Sequence, residues 1–481
     1  MTNRTNPILA TDSYKFSHFM QYPAGATDVS SYIEARGSQV EGVDEVVFAG
    51  LQIYIDEILM NRVTVQDVER ARDFCAKHGT PFNYDGWMII AREHGGILPI
   101  TIQAVPEGTP VPLKNVLVQV HTNDERLPWL TSYVETVLLS YVWYASSVAT
   151  LSREIKKVIK KALNESSDNP DAELPFKLHD FGYRGAAPGA AGVGGFAHLI
   201  NFMGTDTVAG IEVAMEHYSS DVCGFSISAS EHSTMTSWGR EGEYEAYANM
   251  VKSYAKPGAI FACVIDSYDT MNAIDLWALP QKGNKSLIEQ VKEAGATVVL
   301  RPDSGDAVQM PIDVIKRLMD RIGFYENSKG YRVLPDHVRV IQGDGIDISD
   351  VKSILFQLTK VWRISASNIA FGMGGGLLQK VNRDTFKFAM KANAMETNGK
   401  WVDVVKDPST DAGKKSKAGR QMLLRNKETG EFVTTRHDND SVEWRKKGFY
   451  PALDVVFTSF GGRVQHNRTN MDAVRKNAEV K

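Results

Sequence analysis

Residues 285–306 read KSLIEQVKEAGATVVLRPDSGD, and the order of their parts decides the fold. Leu287, Ile288, Val291 and Ala294 recur at helical spacing and mark one apolar face, with Gly295 placed to stop the helix. ATVVL then predicts a short buried strand of the parallel kind, and it runs into the polar turn RPDSGD. The same order of apolar run and Gly- or Asp-rich turn recurs at FKLHDFGYRG, INFMGTD, GFSIS, AIFACVIDSYD, VRVIQGDG and NIAFGMGGG. Seven such strands between about residues 175 and 380 predict a parallel βα series, open or closed into a barrel.

The flanks follow other rules. A helix is expected from Thr64 as N-cap to Gly79 as its stop, with Val65, Val68, Ala71 and Cys75 on its apolar face. Strand-like runs lie in ITIQAVPEG and NVLVQV before the barrel, and in MLLRN, KETGEFVTT and GFYPALDVVF after it. The polar stretch NESSDNPDAE at 164–173 reads as a boundary. The expected class is α/β: a parallel barrel over residues 171–380, inserted in a mixed α/β domain built from both chain ends, residues 1–170 and 381–481.

Composition narrows the function. The chain has 481 residues, 43% hydrophobic and 23% charged, which excludes disordered and fibrous classes. Lys+Arg at 54 against Asp+Glu at 58 offers no polyanion-binding excess, so nucleic acid is not expected as a partner. Cys75, Cys223 and Cys263 are odd in number and form no CxxC, which suits neither a disulfide framework nor a zinc site. The start MTNRTNPILATDSYKFSH lacks the pattern of a signal peptide. The most apolar stretch, Val134 to Leu151, is broken by Ser140, Tyr141, Ser146, Ser147 and Thr150, and reads as a buried helix rather than a membrane span. A cytoplasmic protein without membrane contact is expected.

In a parallel barrel the carboxyl ends of the strands build the active site. Here those ends carry Phe181, Tyr183 and Arg184; Asp206; Ser226, Glu231 and His232; Asp266 and Asp269; Arg301, Asp303 and Asp306; Asp344; and Gly374 to Gly376. GMGGGLLQK (372–380) follows a strand and opens a helix, and its glycines let backbone N–H groups approach an anion. A flexible turn is the alternative, but QGDGID one unit earlier favours phosphate. Arg184 and Arg301 either pair with Asp206 or Asp303, or grip phosphate oxygens in a bidentate fashion. The rim carboxylates either offer oxygens to Mg²⁺ or pair with those arginines. His232 carries a poor prior as a lone histidine, though Asp266 on the next strand end could fix its tautomer. KKSKAGR (414–420), with Arg383, Lys391 and Lys406, is either a solvated surface or an extension of the phosphate rim.

The strings ATDSYKFSH, SYIEARG, KLHDFGYRG, GTDTVAG, EHST, DSYD, RPDSG, VIQGDGID, GGGLLQK and VKDP occur in this order, from the N-terminal segment to about residue 420. Together they resemble the nicotinamide phosphoribosyltransferase family, within the type II class; the TGGT-like loop of type I enzymes does not occur. The resemblance implies an irregular α/β barrel joined to a mixed α/β domain, in a homodimer with shared sites. It implies transfer of phosphoribosyl from phosphoribosyl pyrophosphate to nicotinamide in NAD salvage, with Mg²⁺, and with ATP hydrolysis as a stimulus.

By resemblance, Phe181 stacks on the nicotinamide ring, and Tyr14 covers its other face from the second subunit, with Asp12 nearby. Arg184 meets the pyrophosphate, and Asp206 accepts the carboxamide N–H. Ser226 and Arg301 hold the base side, and Asp303 the ribose hydroxyls. Gly343, Asp344, Gly374, Gly375 and Arg383 hold the ribose and its 5′-phosphate. His232 is the histidine phosphorylated from ATP, oriented by Asp266, and Arg36, Lys391, Lys406 and Lys414 serve the phosphate end. Met373 stands where the family's Gly-rich loop carries serine.

Overall fold

The computed structural model describes residues 6–281, 283–343, 345–407, 415–438 and 441–480, so Asp344 and Lys414 lie outside the described residues. The chain forms two compact units. One comprises the chain up to Thr150, Val213–Ser220 and Val381–Glu479; the other comprises Leu151–Glu212 and Asp221–Lys380.

The second unit holds the decisive stretch. Helix Leu287–Glu293 is capped by Ser286, which accepts from the Glu289 amide while the Glu289 carboxylate accepts from the Ser286 amide. It buries Leu287, Ile288 and Val291, and Gly295 takes the left-handed φ of 67° that a side chain would resist. Strand Thr297–Arg301 follows, with Val298 and Leu300 fully buried. It pairs in parallel with Ile260–Val264 on one side and Val338–Gln342 on the other. In space the seven strands run Gly204–Thr205, Leu178–Asp180, Ile369–Met373, Val338–Gln342, Thr297–Arg301, Ile260–Val264, Ser228–Ala229, and every pairing is parallel.

All seven apolar runs are strands of this one curled sheet, but two are shorter than their sequences predict. INFMGTD contributes only Gly204–Thr205, ending at the poor strand former Asp206, and the strand by GFSIS is Ser228–Ala229, which shares only Ser228 with that run. The edges nearly meet instead. Gly204 bridges to Phe225, with Thr205 N–H donating to Phe225 O (2.9 Å) and Phe225 N–H to Met203 O (2.7 Å). The result is an irregular barrel with a thin seam.

The first unit is built on an antiparallel sheet in the order Lys400–Asp403, Phe388–Thr397, Ala26–Ala35, Val116–Thr122, Ile100–Ala104, Asp454–Phe460, Arg463–His466. Helix Val65–His78 has the expected Thr64 cap and Gly79 stop, and it buries Val68, Ala71 and Cys75. Val65 departs from that expectation: in the first turn it lies off the buried stripe and is 42% exposed. The hydroxyls that interrupt the apolar stretch after Val134 bind backbone, Ser146 accepting from Ala49 N–H (3.0 Å) and Thr150 from Val47 N–H (2.9 Å). Among the described residues no helix is long and apolar enough to cross a membrane.

Candidate active site

At the carboxyl ends of the parallel strands a cavity of about 490 Å³ is lined by Phe181, Tyr183, Arg184, Gly185, Asp206, Thr207, Arg301, Asp303, Gly343, Gly374 and Gly375. Nine of these are expected from sequence, all but Gly185 and Thr207, and they come from five different strand ends. Each is placed by its turn. Asp180, the last strand residue before Phe181, accepts the Gly182 N–H through Oδ1 (2.7 Å) and so bends the chain into the Tyr183–Gly185 turn that carries Arg184. Phe181 fits only because residue 372 is glycine: a Cβ there would fall 2.2 Å from the Phe181 ring. Gly343 performs the same service for the next pair, since its Cβ would lie 2.9 Å from Asp303 Oδ1 and 3.0 Å from Arg301 Nε.

The two arginines differ. Arg301 grips Asp303 with both arms of its fork, Nε to Oδ1 at 2.8 Å and Nη2 to Oδ2, and its guanidinium stands 5.7 Å from the Phe181 ring centre. Arg184 is exposed in the cavity and makes no ion pair among the described residues, which leaves its whole fork for an anion. Opposite Arg301, the Ser226 hydroxyl donates to Asp206 Oδ1, so the hydroxyl aims the carboxylate.

His232 opens a short helix, His232–Thr236, and its Nε2 lies 2.9 Å from Asp266 Oδ1. The Asp266 side chain is only 1% exposed while His232 is 45% exposed, the arrangement of a buried anchor under an accessible ring. The other Asp266 oxygen accepts the Asp303 N–H (3.2 Å), which ties the histidine to the loop of the Arg301–Asp303 pair. Burial pushes the Asp266 carboxyl up, but hydrogen bonds from Ser304, His232 and the Asp303 amide outweigh it and hold the group below the usual carboxylate range.

Some strand-end acids have other duties. Asp269 caps helix Thr270–Ala278 by accepting the Asn272 N–H (2.9 Å), and Asp306 accepts the amides of Val308 (3.0 Å) and Gln309 (2.7 Å). The helix opened by the glycine run is a single turn, Gly375–Leu378, so an anion there would depend on loop amides more than on a helix dipole. Among the described residues no group of three or more His, Cys, Asp or Glu side chains is arranged to hold a metal ion.

A second cavity, also about 490 Å³, occupies the barrel interior and shares Phe181, Asp206 and Arg301 with the first. Ala229, Ala262 and Ala370 line it, too small to fill the space that larger residues usually close in such barrels.

The remaining expected residues lie in the antiparallel unit. Tyr14 is 57% exposed on the 3₁₀ helix Ser13–Met20. Lys391, on strand Phe388–Thr397, is held below the usual lysine range by burial and by the charges of Arg36, Lys406 and Arg383, against the pull of Glu135. Those four basic residues therefore form one positive cluster. Sequence reasoning had not assigned Asp180, Thr207, Gly185 or Gly372; HDFGYRG and GMGGG contained three of them, unremarked because neighbouring residues in the same strings drew the chemistry.

Comparison with known proteins agrees with this geometry. The family described as nicotinate phosphoribosyltransferase (NAPRTase) matches residues 176–449, and the nicotinamide phosphoribosyltransferase N-terminal domain matches residues 6–102. The chain is 49% identical to the nicotinamide phosphoribosyltransferase of Xanthomonas campestris pv. campestris over 429 residues, 89% of each chain. It is 30% identical to the nicotinamide phosphoribosyltransferase of Acinetobacter baylyi, over 95% of this chain and 94% of that one. The nicotinate-nucleotide pyrophosphorylase from Pyrococcus furiosus shares the fold, with a TM-score of 0.63 at 16% identity over 99% of this chain and 96% of that chain.

Proposed function

The chain belongs to the nicotinamide phosphoribosyltransferase family, and from that premise we propose that it transfers phosphoribosyl from phosphoribosyl pyrophosphate to nicotinamide. The pyridine nitrogen supplies the electron pair that forms the bond to ribose C1, and the C1–O bond breaks with its electrons leaving on pyrophosphate. Nicotinamide mononucleotide is the other product. No general base is needed, so positioning and charge stabilisation carry the catalysis. One observation carries this reading: Asp206, aimed by Ser226, opens into the cavity beside the Phe181 ring. A carboxylate there accepts a carboxamide N–H and repels the carboxylate of nicotinate.

The other roles follow from placement. Arg184 meets the pyrophosphate, Asp303 the ribose hydroxyls, and Gly343, Gly374 and Gly375 leave backbone amides open to the ribose and its 5′-phosphate. Asp344 belongs to the same ribose end by resemblance. Mg²⁺ fits as an ion carried by the diphosphate, with the phosphate oxygens and water as ligands and rim carboxylates such as Asp303 beyond them. When bound it neutralises the departing pyrophosphate.

His232 is read as the acceptor of the ATP γ-phosphoryl group. Asp266 engages Nε2, which leaves Nδ1 to form the N–P bond as ADP departs; water later releases phosphate. Arg36, Lys391, Lys406, Arg383 and, by resemblance, Lys414 would receive phosphate groups. The exposure of Tyr14 suits a ring that covers the base in the site of a second subunit, making the enzyme a homodimer. A cytosolic setting accords with three free cysteine thiols.

The test is product analysis with phosphoribosyl pyrophosphate and either base, with and without ATP. Nicotinamide mononucleotide should be the main product and ATP should raise its yield. Formation of the nicotinate nucleotide alone would overturn the base assignment, and unchanged yield with ATP would overturn the phosphohistidine.

A further inference from the structure

The segment that carries Tyr14 has little of its own to hold it. It is a 3₁₀ helix of 8 residues, Ser13–Met20, although runs of this kind longer than ~3–4 residues are uncommon because their hydrogen bonds are poorly aligned. Asp12 at its N-cap makes no capping bond; its carboxylate instead accepts from the Thr136 hydroxyl (2.7 Å). Of the helix residues only Lys15 and Phe16 are buried. A buried phenylalanine is ordinary. A lysine side chain only 3% exposed is not.

That charge is met from another helix. Lys15 Nζ donates to Glu135 Oε2 (2.6 Å), at the start of helix Glu135–Ser166, and to Ser132 Oγ (3.1 Å). The same ammonium stands 5.3 Å from the Tyr14 ring centre. His18, whose Nδ1 lies 3.4 Å from Ser132 Oγ, meets that ring edge-on at 4.9 Å. Both neighbours of the exposed Tyr14 ring are therefore tied to the short stretch from Ser132 to Glu135. Removing one partner of a buried ion pair strands the other, so Lys15 without Glu135 would have to turn towards water and draw the helix with it. Glu135 also bears on Lys391, pulling that lysine up against the charges of Arg36, Lys406 and Arg383.

We propose that Glu135 is a positioning residue for the base: through the buried Lys15 it fixes the helix that presents Tyr14, without touching the base itself. The ring then has a set place before the base arrives and need not be ordered as it binds. The basic cluster gives Glu135 an opposite influence elsewhere. It is an anion beside four cations, so its charge works against a phosphate group held there. One carboxylate thus favours the base and opposes the phosphate. This inference rests on the proposed role of Tyr14 in covering the base.

The experiment measures KM for nicotinamide and for phosphoribosyl pyrophosphate in wild type, Glu135→Gln, Lys15→Met, Tyr14→Leu and the double variant Tyr14→Leu/Glu135→Gln. Deuterium exchange of the Ser13–Met20 amides is followed in the same proteins. Glu135→Gln keeps the side-chain shape and removes the charge. Its KM for nicotinamide should rise on the order of 10-fold, as for loss of one charged hydrogen bond, while its KM for phosphoribosyl pyrophosphate stays level or falls. The Ser13–Met20 amides should exchange faster and those of helix Leu287–Glu293 should not. Lys15→Met, an apolar replacement suited to a buried position, should reproduce the nicotinamide and exchange changes. In the Tyr14→Leu background Glu135→Gln should add nothing to the KM for nicotinamide, a non-additivity that general damage would not show. Additive effects, an equal rise in both KM values, or unchanged exchange of Ser13–Met20 would overturn the proposal. Exchange needs no turnover, and a wild-type KM in Tyr14→Leu would tell against the covering role itself, so the two failures are distinguishable.

Discussion

The two sheets of this protein distribute function in opposite ways. In the parallel barrel every side chain of the cavity lies within a few residues of a strand's carboxyl end, because all the strands point the same way and deliver their loops to one rim. In the antiparallel sheet no such rim exists. Arg36 follows strand Ala26–Ala35, Lys391 lies inside Phe388–Thr397 opposite Tyr32, and Lys406 follows Lys400–Asp403, so the cluster is created by register alone. Parallel strands concentrate chemistry at one edge; antiparallel strands must gather it across the ladder.

If the barrel rim selects the base and the basic cluster of the antiparallel unit receives the phosphates of ATP, substitutions in the two should separate by substrate. The largest effect is expected at Asp206. Asp206→Ser removes the charge that discriminates between amide and acid, and the ratio of kcat/KM for nicotinamide over nicotinate should fall by about 100-fold, as for loss of one charged hydrogen bond. An unchanged ratio would break the assignment of base choice to this rim. Next is Gly372→Ala. The added methyl would meet Phe181 at 2.2 Å, and overpacking on the order of 1–3 kcal/mol should raise the KM for the base by roughly 10-fold or more. The KM for phosphoribosyl pyrophosphate should move far less, and equal changes in both would contradict a ring-specific role.

A smaller effect is expected in the antiparallel unit. Lys391→Gln removes one charge from a cluster of four, so the KM for ATP should rise by only a few-fold and its salt dependence should shallow. A loss of base selectivity in this variant would erase the division between the sheets.

The smallest is a matter of stability. His217 Nδ1 lies 3.0 Å from Asp56 and its Nε2 3.4 Å from Glu57. Burial pulls its pKa down, but the Asp56 and Glu57 hydrogen bonds carry it up to about 9. A raised histidine stabilises fully below its ordinary value and loses that contribution as pH rises through about 9. The apparent Tm should therefore fall by roughly 2–4 °C over that interval, the response to about 1 kcal/mol in a unit of this size, and Asp56→Asn should flatten the slope.

The same contrast explains what could be read from sequence. The seven parallel strands were legible because strands buried on both faces appear as unbroken apolar runs, each closed by a polar turn. Even there, identity did not reveal duty. Asp206 lines the cavity and Asp266 holds His232, whereas Asp269 and Asp306 accept amides at helix starts, and all four follow a strand with the same side chain. A cap and a ligand differ only in where the oxygen points. Asp180 escaped notice for the converse reason: it sits inside the strand end and acts through hydrogen bonds to its neighbours. Gly372 was hidden because a glycine required by a neighbouring ring is indistinguishable, as a letter, from one required by a turn. The basic cluster needed strand register, which short-range spacing does not encode: the sequence left Arg383, Lys391 and Lys406 open between a solvated surface and a phosphate rim, and the family resemblance added Arg36.

The thin seam of the barrel has a consequence for motion. Asp206 and Ser226 stand on its opposite lips, each one residue beyond the Thr205–Phe225 hydrogen bond. Their own hydrogen bond is a clasp across the weakest line of the barrel wall. Strands that share ladders of only 2 residues should breathe sooner than the five-residue strands at the centre, so the amides of Thr205 and Phe225 should exchange with deuterium well before those of Val298 and Leu300. A base whose carboxamide donates to the clasp's carboxylate would slow that exchange, and the residue proposed to choose the substrate would then also be the one that latches the wall shut.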